Sequence, residues 1–123
     1  MPPTPASQFL ADSFSSSSDT ACCSPRTRDA MTAESATALA HSLKALADPT
    51  RLRLISMVAA HTDAEACVCD LTEPLRLSQG TVSHHLKVLV EAQIFSRDKR
   101  GTWAYYRLVP GALESIAQHL VTV

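Results

Sequence analysis

The chain lacks any apolar run approaching the roughly 20 residues a membrane-spanning helix needs. It also lacks a basic opening followed by an apolar block. Neither a membrane span nor a secretory leader is expected, and the expected setting is soluble and cytoplasmic. Net positive charge is missing as well: the balance is −1, which does not announce a nucleic-acid binder. Aromatic residues make up only 5% of the chain, so those present are expected to pack before they stack on bases. No strand–helix–strand pattern surrounds the cysteines, and no His or Asp stands placed to activate a nucleophile. Both absences argue against a thioredoxin-like enzyme. What is there is 123 residues, 46% of them hydrophobic, enough for one domain with a core and a tail.

Charge distribution says more than its sum. Residues 76–107 hold six basic side chains against Glu91 and Asp98, a local +4, and the rest carries −5. DNA affinity follows the phosphates neutralised at the contact face, not the total. The four cysteines form two pairs, Cys22-Cys23 and Cys67-Val68-Cys69. In a reducing compartment such pairs suit metal binding or redox chemistry better than structural disulfides.

Residues 1–30 are rich in Pro, Ser and Thr and read as a flexible tail carrying Cys22 and Cys23. Residues 31–123 read as the folded domain. Leu39, Leu43 and Leu46 mark a first helix with an apolar stripe suited to helix–helix contact, and His41 beside it reads as partly buried. Asp48-Pro49 restarts the chain as a helix to about Ala60, with Leu52, Ile55 and Ala59 inward, Val58 near them, and Arg51 and Arg53 flanking. Residues 61–66 read as a polar connection. Cys67 and Cys69 can share one ion only if the chain is extended there or entering a helix. A short helix over about Asp70–Leu75, limited by Pro74, puts the thiols at its N-terminal end, where the helix dipole favours thiolate.

The stretch 77–90, LSQGTVSHHLKVLV, reads as a helix capped by Ser78. Val82, Leu86 and Leu89 form its buried stripe, and Gly80, Thr81, His84 and Lys87 its outer face. Residues 94–97 and 102–108 then alternate as strands, joined by a basic turn in which Gly101 supplies positive φ. Pro110 opens a last helix with Leu113, Ile116, Ala117 and Leu120 on one side. The architecture predicted is mainly α with a small β-hairpin, a winged helix-turn-helix.

LKALADPTRLRLI, CVCDL, LSQGTVSHHLKVL and KRGTWAYYRL together resemble the ArsR/SmtB family of metal-sensing bacterial repressors, over about residues 35–122. The resemblance implies a homodimer built from the first and last helices. It also implies binding to palindromic double-stranded operator DNA, weakened by metal. It places Gln79, Thr81, Ser83, His84 and Lys87 in the major groove and Lys99 and Arg100 on phosphate. Gly80 departs from the family's preference for a helix former. Cys67 and Cys69 match a family effector site whose third thiol is Thr72 here, so Cys22 and Cys23 are expected to complete the metal site. The family's other site, on the last helix, would need Glu114 and His119, which do not share a face.

An all-sulfur set selects soft ions. Arsenite or antimonite is the expected effector, with Cd2+ or Pb2+ as the alternative. A thiol-based redox sensor of the same fold, or a DNA-binding module with inert cysteines, are the remaining readings. The expected protein is not an enzyme.

Overall fold

The computed structural model describes residues 24, 25 and 27–123. Cys22, Cys23 and most of the expected 1–30 tail lie outside the described residues. Helix α1 (Ala33–Leu46) begins at Thr32, whose side chain accepts the Ser35 N–H. It contributes one buried residue, Ala45; Leu39, Leu43 and Leu46 are half-buried and His41 is exposed. The expectation of a partly buried His41 is corrected accordingly.

Helix α2 (Pro49–Ala60) starts where Asp48-Pro49 predicts: Asp48 Oδ2 accepts the Arg51 N–H at 3.0 Å, and Pro occupies the first turn, where its missing N–H has no partner to lose. Its inner face agrees with expectation at Ile55 and Val58 and differs at Leu54, Leu52 and Ala59. Leu54, Ile55 and Val58 are buried, whereas Leu52 is 53% exposed and Ala59 is exposed. At about 100° per residue, positions 52 and 59 share a stripe that is turned away from 54, 55 and 58. Arg51, not Leu52, falls beside the buried stripe.

The segment read as a polar connection contains a 3-10 turn (Thr62–Ala64) and a strand, β1 (Glu65–Cys67). Helix α3 (Val68–Leu75) follows at once, two residues before its expected start. Pro74 lies in its last turn, and the chain leaves the helix at Arg76 in the left-handed region (φ 55°). Helix α4 (Gln79–Glu91) begins at Ser78, whose Oγ accepts the Thr81 N–H at 3.1 Å. Val82, Leu86 and Leu89 are buried, as the spacing predicts.

Strand β2 (Phe95–Arg100) runs three residues further than the sequence suggests, and β3 (Trp103–Leu108) begins one residue later. The tip is therefore Gly101-Thr102, with Gly101 at φ 64°, and Asp98, Lys99 and Arg100 belong to a strand. The sheet order is β1-β3-β2, both pairings antiparallel, with Cys67 opposite Tyr105 and Glu65 opposite Arg107. Helix α5 (Ala112–Val121) starts at Gly111 (φ 81°) rather than at Pro110. Leu113 and Ile116 are half-buried; Ala117 and Leu120 are exposed.

The core lies between α2, α3, α4 and the sheet, with Leu54, Leu71, Leu86, Leu89, Ile94 and Phe95 almost fully covered. It fixes α3, its turn and α4 as one block carrying a β-hairpin wing. Leu54→Ala should cost about 2–5 kcal/mol, and Leu52→Ala no more than about 0.5 kcal/mol. Urea unfolding at one fixed protein concentration checks this; equal losses would contradict the assignment of the inner face.

Candidate effector site and nucleic-acid interface

Cys67 ends β1 and occupies the N-cap position of α3 with extended backbone (φ −74°, ψ 150°). The next turn of chain brings Cys69 back beside it: the two Sγ atoms stand 2.7 Å apart. Cys67 is buried and Cys69 exposed, and both are free thiols. The extended-into-helix geometry that lets i and i+2 converge is therefore present. Thr72, where a third thiol would stand, donates its hydroxyl to the Val68 carbonyl at 2.8 Å. Among the described residues no group of three or more His, Cys, Asp or Glu gathers into a metal site. The pair supplies two sulfurs and no further ligand.

The helix dipole does not decide the protonation of Cys69. The Cys69 thiol is pushed above its ordinary pKa, first because it donates its proton to Cys67 Sγ, then by desolvation and the charges of Cys67 and Asp70. The neighbouring sulfur outweighs the dipole that the sequence points to.

On α4, Gln79, Thr81, His84 and Lys87 are exposed and Ser83 is half-buried. Ser78 Oγ also stands 2.9 Å from Thr81 Oγ1, so the cap orients the Thr81 hydroxyl. Gly80 lies in the first turn, with open space where a Cβ would be. In the wing, Arg97 and Lys99 alternate onto one sheet face and Asp98 and Arg100 onto the other. Arg97 and Lys99 are exposed, and their side chains make no hydrogen bond or ion pair with other described residues. Arg97 was not singled out from the sequence, although period two predicts that it shares the face of Lys99. Arg100 is engaged elsewhere: its guanidinium forks onto Glu65 at 2.9 and 2.6 Å and reaches Asp98 at 3.0 Å.

A second feature missed in the sequence holds α4 in place. Arg51 donates through Nε to the Ala45 carbonyl at 2.6 Å and through Nη2 to that of Lys44 at 3.1 Å. Those carbonyls lie in the last turn of α1, where intrahelical partners run out. Arg51 Nη1 stands 3.1 Å from His85 Nδ1, and Asp48 Oδ2 lies 3.9 Å from the same nitrogen. Since Arg can only donate, His85 Nδ1 accepts and Nε2 carries the ring proton. One side chain thus joins the end of α1, the start of α2 and the middle of α4. The available signal was the Asp48 cap, which places Arg51 on the inner side.

A recognition helix with an exposed polar face, seated on a preceding helix and flanked by a basic hairpin, defines a winged helix-turn-helix DNA-binding regulator. Comparison with known proteins narrows the class. Residues 48–95 match the model of the bacterial regulatory protein, arsR family. The arsenic resistance transcriptional regulator ArsR1 of Pseudomonas putida is 48% identical over 67 residues, 54% of this chain and 51% of that protein. The chain therefore spans about half the length of that relative. The arsenical resistance operon repressor of Staphylococcus xylosus is 38% identical over 78 residues, 63% of this chain and 72% of its own length. The crystal structure of the AntR antimony-specific transcriptional repressor superposes with a TM-score of 0.63 at 30% identity, covering 81% of this chain and 93% of that one. The chain belongs to the ArsR family of bacterial transcriptional regulators and is not an enzyme. Among the described residues no helix is long and apolar enough to cross a membrane.

The clamp gives a pH prediction. Asp48 is held below its ordinary pKa, chiefly by the Arg51 N–H, with desolvation opposing and the Arg51 charge adding. A lowered carboxylate pKa contributes stability above the unfolded-state value, lost as pH falls through the folded-state value. Asp48→Asn keeps a good cap but no charge. Its urea midpoint should therefore fall less than that of the wild type between about pH 6 and about pH 3. Parallel curves would contradict this.

Proposed function

We propose that the protein is a metalloid-responsive repressor. As a homodimer it binds a palindromic operator, and it lets go when arsenite or antimonite is held by Cys67, Cys69 and cysteine from the 1–30 segment, Cys22 or Cys23. The observation that carries this reading is the convergence of Cys67 and Cys69 at the first turn of the helix-turn-helix. Soft thiolates select soft ions, and two sulfurs with no third ligand nearby require a donor from another segment. The names of the Staphylococcus and Pseudomonas relatives and of AntR support a metalloid over cadmium or lead.

On the DNA side, α4 enters the major groove with Gln79, Thr81, Ser83, His84 and Lys87 toward the bases and nearest phosphates. The wing supplies Lys99, to which the structure adds Arg97. The half-buried leucines of α1 and the exposed Leu120 of α5 are the apolar surface a second copy would cover. The dimer sets the two recognition helices about 34–36 Å apart, one turn of DNA. An ion that ties the 1–30 segment to α3 shifts that spacing.

Cys67→Ser and Cys69→Ser should each bind operator as the wild type does and fail to release it on arsenite. Release by the double variant would end the thiolate reading. Mass spectrometry separates the redox alternative, since arsenite adds the mass of arsenic and disulfide formation removes only hydrogen. Proton balance separates the ions. Each thiol proton leaves with an arsenic hydroxyl as water, whereas Cd2+ liberates one proton for every thiol it binds. His84→Ala should cost about 1–3 kcal/mol on the cognate operator and relax specificity there. An equal loss on unrelated DNA would move His84 from base to phosphate.

A further inference from the structure

Among the described residues a two-pronged ion pair joins the wing tip to the strand that carries Cys67. Arg100 sits beside the turn of the hairpin, where a cation would ordinarily face phosphate. Instead it turns back along the sheet. Nη1 and Nη2 donate to Glu65 Oε1 and Oε2 at 2.9 and 2.6 Å, a parallel fork of the strong bidentate kind. Asp98 holds its Nε, and its guanidinium carbon lies 4.6 Å from the centre of the Tyr105 ring. The Glu65 side chain is only 16% exposed and also takes Arg107 Nη2 at 3.4 Å, so the fork is better shielded than most surface pairs.

Its partners share one address. Glu65 precedes Cys67 by two residues on β1, and Tyr105 is the register partner of Cys67 on β3. Arg100 therefore rests on both neighbours of the buried thiol. An ion taken up by Cys67 and Cys69 sets the spacing of the two sulfurs by its own bond lengths and angles. Cys67 is buried, and its strand is paired along its whole length to β3. Movement there is passed to β1 and so to Glu65.

We propose that the Glu65–Arg100 fork is the link by which the wing feels the thiol pair. Intact, it holds the hairpin in the pose that presents Arg97 and Lys99; opened, it lets the tip swing. Glu65 and Arg100 are positioning residues in this scheme, acting on DNA through the wing. The inference rests on the reading of Cys67 and Cys69 as effector ligands.

The test uses the full chain and a fluorescent operator, titrated with and without arsenite, for wild type, Glu65→Gln and Arg100→Lys. Lysine keeps the charge and loses the fork. In the wild type arsenite should weaken the operator complex by about 5–150-fold, the usual range of such coupling. In both variants the ratio should fall to within about twofold of unity, far below that range, with arsenite stoichiometry by mass spectrometry unchanged. Salt dependence adds a readout that loss of packing would not move. Opening the fork takes Arg97 and Lys99 off phosphate, so Glu65→Gln and Arg100→Gln should lower the slope of log affinity against log salt alike. A wild-type ratio in either variant, or a slope drop of about 0.9 for Arg100→Gln with none for Glu65→Gln, overturns the fork and returns Arg100 to phosphate. A wild type that ignores arsenite overturns the effector reading and the fork with it. A responsive wild type with responsive variants overturns the fork alone.

Discussion

Three residues of strand, Glu65–Cys67, make the thiol pair part of the wing. Without their hydrogen bonds to β3, Cys67 would sit in a loop between two helices, and an ion bound there could move without consequence. With them, Cys67 is anchored on one side to the inner strand of the hairpin and on the other to the first turn of α3. The strand buries Ala66 and Cys67, so displacement there meets packed neighbours rather than water. Close-packed interiors transmit such strain instead of absorbing it. The placement of the wing, the start of the helix-turn-helix and the convergence of the two sulfurs all depend on this pairing.

A second constraint works from the opposite face. Arg51 satisfies two carbonyls at the end of α1 and meets His85 on α4. This clamp ties the end of α1 to the helix with the exposed polar face. Together the strand and the clamp leave α4 little freedom of its own. Its orientation is set by α1 through Arg51, and the wing beside it is set by β1.

The elements with local chemistry were legible in the sequence. Asp48 and Ser78 are caps because each can accept an N–H from the first turn, and both do so. Val82, Leu86 and Leu89 declare their stripe by spacing alone. Gly101 marks the tip because only it tolerates the turn's positive φ without strain. What escaped were the non-local facts. β1 is too short to show a period and exists through its pairing with β3. On the inward face of α2, Ile55 and Val58 were legible, but leucine at 52 looks like core while the packing partners select Leu54 instead. Arg51 and Arg100 read as surface cations until their distant acceptors, Ala45, His85 and Glu65, are brought alongside. The helix dipole promised a thiolate at Cys69, but a second sulfur in contact reverses the shift. The two cysteines themselves were recognisable, because i and i+2 converge only where strand passes into helix.

The account stands on effector and operator competing through one folded unit, and equilibrium linkage makes that competition reciprocal. The direct measurement is the affinity of the wild-type protein for arsenite, by calorimetry, free and saturated with operator DNA. The account predicts that operator weakens arsenite binding by the same factor by which arsenite weakens operator binding. Equal arsenite affinity in the two states would contradict it.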